Sequence, residues 1–123
     1  MAFLVDKTNL SQAGLGNHMY DAALKNVKKY DKKVNEDLLK AIVKNYRLVL
    51  SKSDAKHVAC GQAAELETVK KNFIIKKLGV TDMAKAEKAI AEVCEEMKPD
   101  RLKSRATFYY LLTKKLKKVD IFV

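Results

Sequence analysis

Phe108-Tyr109-Tyr110-Leu111-Leu112 is a run of five apolar residues inside a longer stretch, residues 100–118, that contains no proline and no glycine. At 3.6 residues per turn, five consecutive positions reach every side of a helix. A helix that is apolar all round has no face left for water, so it belongs at the centre of a bundle. The lysines 114, 115, 117 and 118 stand in its last turn, where cations suit the helix dipole. This one helix makes the expected fold all-α, and the rest of the chain is read as what must surround it.

Working backwards, Pro99 closes or opens a helix, because proline is tolerated at a first helical position and not in an interior. Before it, Met83, Ala86, Ile90, Val93 and Met97 step by three and four along a narrow seam, with Thr81 or Asp82 as N-cap. A third helix is expected over residues 62–78, with Leu66, Val69, Phe73 and Ile74 inward and Gly79 as its C-terminal stop. The second helix begins at the N-cap Asn35 and carries Leu38, Leu39, Ile42, Val43, Tyr46, Val49 and Leu50 on one broad face. The first starts near Tyr20, with Ala23, Leu24, Val27 and Tyr30 on its stripe. A short helical turn is expected at residues 55–60, stopped by Gly61. The expected architecture is a compact bundle of about five helices plus that extra turn. Residues 1–17, with Gly14, Gly16 and no sustained period, read as a flexible arm ahead of a single helical domain at 18–123. The apolar tail after Lys118 is expected to dock back on the core.

Composition agrees. A chain of 123 residues with 48% hydrophobic and 33% charged residues has the balance of one globular domain. One Pro and four Gly are too few for a sandwich or barrel, which wants a turn about every 8–12 residues. No uncharged apolar run approaches the ~20 residues of a membrane span, and the start of the chain lacks the pattern of a signal peptide. The expected setting is therefore cytoplasmic.

The net charge is +10, unevenly spread: residues 99–123 carry seven bases against two acids, and residues 80–98 three against five. Arg101, Lys103, Arg105, Lys114, Lys115, Lys117 and Lys118 are the candidate polyanion-binding set. Of the 25 bases only Arg47, Arg101 and Arg105 are arginine, which argues against bidentate base readout; weak, salt-sensitive contact with polyanions stays open beside the plainer reading of a solvated, lysine-rich surface. Tyr109 shares a stripe with Leu102, Ala106, Leu112 and Leu116, so its ring is expected inside the bundle rather than stacked on a base.

Chemistry-bearing residues are sparse. Cys60 and His57, three apart, could share a helix face as nucleophile and base, but no third orienting group accompanies them. Cys94 adjoins Ile90, Val93 and Met97 and reads as core packing. Two cysteines are too few for a disulfide framework, and both are expected to stay as unreactive thiols. For metal, His18, His57, Cys60 and Cys94 offer one short-spaced pair where a structural zinc wants four ligands. Glu92, Glu95 and Glu96 lie on a helix without histidine, and Gly14-Leu15-Gly16 lacks the preceding strand of a phosphate cradle. No metal and no cofactor is expected.

The string Lys103-Ser104-Arg105-Ala106-Thr107-Phe108-Tyr109-Tyr110-Leu111-Leu112 resembles the closing signature of a small bacterial family, domain of unknown function 2853. Val27-Lys28-Lys29-Tyr30, Val58-Ala59-Cys60, Lys76-Lys77-Leu78-Gly79-Val80 and Glu92-Val93-Cys94-Glu95-Glu96-Met97-Lys98 agree in order. The resemblance runs over roughly residues 20–123 and implies a compact helical protein; it implies no activity. The expected function is a non-enzymatic interaction module with a protein partner. Sequence-independent nucleic-acid contact through the basic C-terminal region is one alternative, and a small enzyme using Cys60 and His57 is another.

Overall fold

The computed structural model describes residues 10–52 and 56–122. Helix α1 covers Leu10–Val27, α2 Glu36–Asn45 and the single turn α3 Arg47–Leu50. Strand β1 is His57–Val58; α4 is Ala63–Val69 and runs on into a π-helical turn, Lys70–Ile75. Helix α5 spans Met83–Glu96, β2 Lys103–Ser104 and α6 Arg105–Lys115, before a 3₁₀ turn at Val119–Ile121.

Helix α6 is the axis of the bundle. Nine consecutive residues, Arg105 to Thr113, are buried, and α6 packs against α1, α2, α5 and β1. Its apolar circumference meets Val27, Leu38, Leu39, Ile42, Ile74 and Val93, all fully buried. Phe73 stacks on Tyr109 with ring centroids 3.9 Å apart, and Tyr46 meets the same ring edge-on at 5.0 Å. Phe122 and Val119 lie against this core, so the tail docks as expected, with Val123 outside the described residues.

The expected caps hold. Asn35 Oδ1 accepts from the Leu38 N–H at 3.1 Å and Asp82 Oδ1 from the Lys85 N–H at 3.1 Å, each satisfying an amide the helix itself leaves unpaired. Gly79 sits at φ +73°, a conformation in which a side chain would be strained.

Four boundaries differ from expectation. Helix α1 begins at Leu10 rather than near Tyr20, so the second half of the expected arm is helical through Gly14 and Gly16; residues 1–9 lie outside those described. Tyr46 (φ −115°, ψ 21°) separates α2 from α3 where one longer helix was expected. The helical turn expected at 55–60 is instead β1, paired antiparallel with β2 so that His57 faces Ser104 and Val58 faces Lys103. That pairing also explains why the last helix starts at Arg105 and not at Asp100: residues 103–104 are spent on the ladder, and Ser104 then serves as N-cap. On the seam of α5, Met83 is 37% exposed while Ala86, Ile90, Val93 and Met97 are buried.

Candidate functional site

Where α1, the end of α3, the β ladder and the start of α6 meet, they leave a cleft of about 510 Å³. Met19, Ala22, Ala23 and Asn26 of α1 form one side, and Leu50 and Ser51 another. Lys56 and His57 close it from β1, while Leu102, Ser104 and Ala106 complete it from β2 and α6. Ala22, Ala23 and Ala106 are among its lining, short side chains that leave space larger residues would fill. Leu102, 67% exposed, is part of the lining. Among the described residues of the lining, Lys56 is the one that carries a full charge. Burial, aided by the neighbouring Lys56 charge, holds His57 below its ordinary value of 6.5, so the ring is neutral at pH 7.

One wall is fixed by a polar cluster. Asn26 donates to Asp100 Oδ2 at 3.0 Å and accepts from the Thr107 hydroxyl, tying α1 to the turn after α5 and to α6. Asp100 also accepts from Lys29 at 2.5 Å and from the Tyr30 hydroxyl at 2.7 Å. The Lys29 ammonium is the main reason its carboxyl falls to about 2; burial opposes the shift, and the Tyr30 and Asn26 hydrogen bonds reinforce it. The opposite wall is held by Arg105, whose N–H donates to the Lys56 carbonyl at 2.8 Å and whose guanidinium donates to the His57 carbonyl at 3.3 Å. These bonds, with Val58 buried at 3% exposure, draw residues 56–58 into an extended strand.

Four of the candidate polyanion set, Lys103, Arg105, Lys114 and Lys115, are engaged within the chain itself. Arg105 is 7% exposed; its guanidinium pairs with Glu65 and donates to the Tyr109 hydroxyl. Lys114 bonds Asp31 at 2.9 Å, Lys115 reaches Glu96 at 3.3 Å and Glu92 at 3.7 Å, and Lys103 donates to the Asp100 carbonyl at 2.9 Å. Arg101 and Lys117 are exposed and Lys118 half-buried. The basic C-terminal region thus neutralises the acids of α5 and of the α1–α2 connection. Tyr109 is inside the core as expected.

The cysteines correct the sequence reading. Cys60 and Cys94 form a disulfide, with Cα atoms 6.0 Å apart. Cys60 therefore has no thiol to act as a nucleophile, and Cys94 is not mere packing. Among the described residues no group of three or more His, Cys, Asp or Glu side chains is placed to hold a metal ion, and no helix is long and apolar enough to cross a membrane. Of the cleft, the sequence singled out His57 as a chemical candidate; the lining comes from four separated segments of common residue types and forms no motif.

An apolar central helix capped by Ser104, packed against α1, α2 and α5 and preceded by a short β ladder, defines a small, mostly helical protein. Residues 21–120 match the model of domain of unknown function 2853, and the chain belongs to that family of proteins of unknown function. No curated protein matches the chain.

Proposed function

We propose that this is a cytoplasmic, non-enzymatic interaction module that takes an acidic, apolar-anchored segment of a partner protein in the cleft beneath Leu102. The observation that carries it is a cleft whose described lining is mostly apolar, with Met19, Leu50, Leu102 and three alanines, and has Lys56 as its charged residue. An apolar anchor gains by leaving water for the Met19, Leu50 and Ala106 surfaces. Acidic flanks are favoured by Lys56 and by a net charge of +10, which raises the encounter rate as well as the affinity. The polyanion alternative has less support, because Arg105, Lys114 and Lys115 already face carboxylates of their own.

The test is a titration of isotopically labelled protein with an amphipathic helical peptide of Leu and Glu, followed by amide chemical shifts. Saturable shifts are expected at Ala22, Lys56, His57, Leu102 and Ala106, and Leu102→Asp should weaken binding by about tenfold or more. Equal binding of a twin peptide with Lys in place of Glu, or shifts confined to other surfaces, would overturn the proposal.

A further inference from the structure

Helix α4 is lightly anchored. It buries one side chain, Val69, in its last position. Leu66 packs half-buried against the core, and the N-terminal end is further tied by the Glu65–Arg105 ion pair to α6 and the Cys60–Cys94 disulfide to α5. Between α4 and α5 lies a crevice of about 230 Å³, lined by Ala63, Leu66, Glu67 and Lys70 on one side and Glu87, Ile90 and Ala91 on the other. Cys60 lies three residues before Ala63, and Cys94 one helical turn beyond Ile90 and Ala91, so the cross-link closes one end of the crevice. The other end is spanned by Lys70 and Glu87 at 2.9 Å, with the Glu87 side chain 64% exposed, a geometry in which an ion pair adds little. Both cysteines are half-buried, within reach of a reductant, and they are the two cysteines of the chain. Partly exposed disulfides are the labile ones, and in a reducing compartment such as the one proposed for this chain they are usually transient.

We infer that Cys60–Cys94 is a reversible redox latch: reduction by a dithiol frees the first turns of α4 from α5 and opens the crevice over Leu66 and Ile90. In the step, one thiolate of the dithiol attacks a sulfur of the pair, the Cys60–Cys94 bond breaks, and the departing sulfur takes up a proton. The second thiol of the reductant then displaces the remaining cysteine. Two electrons and two protons pass to the protein, and the reductant leaves as a disulfide. A small-molecule disulfide reverses the exchange. The inference rests on the cytoplasmic setting proposed above but not on the cleft beneath Leu102, with which the crevice shares no lining residue. With the latch open, Val69, Leu66, the Phe73–Tyr109 stack and the Glu65–Arg105 pair still hold the rest of α4, so residues 59–64 gain the most freedom.

Hydrogen exchange read by mass spectrometry on the full chain tests this, comparing protein treated with oxidised glutathione and with dithiothreitol. Amides of residues 59–68 are expected to exchange at least about tenfold faster in the reduced protein, with α6 unchanged and with protection restored on reoxidation. Cys60→Ser/Cys94→Ser should show the fast pattern with or without dithiothreitol; should that variant not fold, the two treatments of the natural chain carry the test. Free thiols persisting after oxidised glutathione, identical exchange of residues 59–68 in both states, or reduction that proceeds only together with exchange of α6 would each overturn the inference.

Discussion

Tyr110 offers the sharpest test of how α6 is held. Its ring is fully buried, yet its hydroxyl donates to Asp31 Oδ2 at 2.6 Å and accepts the Asn35 N–H at 2.8 Å. Asn35 is the N-cap of α2, so one phenol fixes the connection between α1 and α2. Tyr110→Phe keeps the ring and removes both bonds. A hydrogen bond to a charged acceptor contributes about 1.5–3 kcal/mol, and an amide left without its partner costs about 1–3 kcal/mol. Asn35 is only half-buried, so water can reach the amide, and the combined loss should be about 2–3 kcal/mol. For 123 residues about 4 °C of midpoint accompanies each kcal/mol, so thermal unfolding should begin to fall about 8–12 °C lower. The loss also has a pH signature. Burial pushes the Asp31 carboxyl up, but hydrogen bonds from Tyr110, Lys114 and the Lys33 N–H outweigh it and hold the group below its ordinary 3.8. A depressed carboxyl stabilises the fold above that value and ceases to do so as pH falls through it. The gap between the natural chain and Tyr110→Phe should therefore shrink as pH drops below about 4. Urea unfolding at pH 7 and pH 3 measures both. A difference under about 0.5 kcal/mol at pH 7, or one that does not change with pH, would refute the assignment.

Two further changes probe the same framework. Asp100→Asn should cost about 2 kcal/mol at pH 7, the worth of a carboxyl held at about 2 instead of 3.8, and should remove the part of the acid unfolding limb between those two values; superimposable acid limbs would contradict it. Leu112→Ala removes a fully buried side chain from the axis of the bundle and should destabilise by about 2–4 kcal/mol, with Val93→Ala costing less; a midpoint unchanged within error would contradict the central position of α6.

What the sequence reveals and what it hides divide along physical lines. Periodicity and caps act over a few residues, so α2, α5 and α6, with Asn35, Asp82 and Gly79, are legible in the chain. Glycine propensity was weighed too heavily: Gly14 and Gly16 cost about 1 kcal/mol each in a helix, yet α1 runs through both. The two-residue ladder of β1 and β2 has no detectable period, and it exists because Arg105 draws the Lys56 and His57 carbonyls to the start of α6. The disulfide is invisible for a different reason. Spacing along the chain does not say which segments meet, and only the packing of α4 beside α5 brings Cys60 to Cys94. The cleft is likewise a product of assembly, since Asn26, Leu50, His57, Leu102 and Ala106 are remote in sequence.

The central helix poses a problem that its own apolar run cannot solve. A helix buried on every side has no amphipathic stripe, so apolar burial sets its depth in the bundle but not its rotation about its own axis. Rotation is set by the polar atoms it carries inward, each bonded to a different neighbour. Thr107 reaches Asn26 of α1, Tyr110 reaches Asp31 and Asn35, and Arg105 reaches Glu65 of α4 and the carbonyl of His57. Any turn of α6 would leave several of these groups buried and unpaired at once, at a cost of about 1–3 kcal/mol apiece. The same rotation decides which residue floors the cleft. With Arg105 and Thr107 pinned on opposite sides, Ala106 is the residue presented between them, and it lines the cleft.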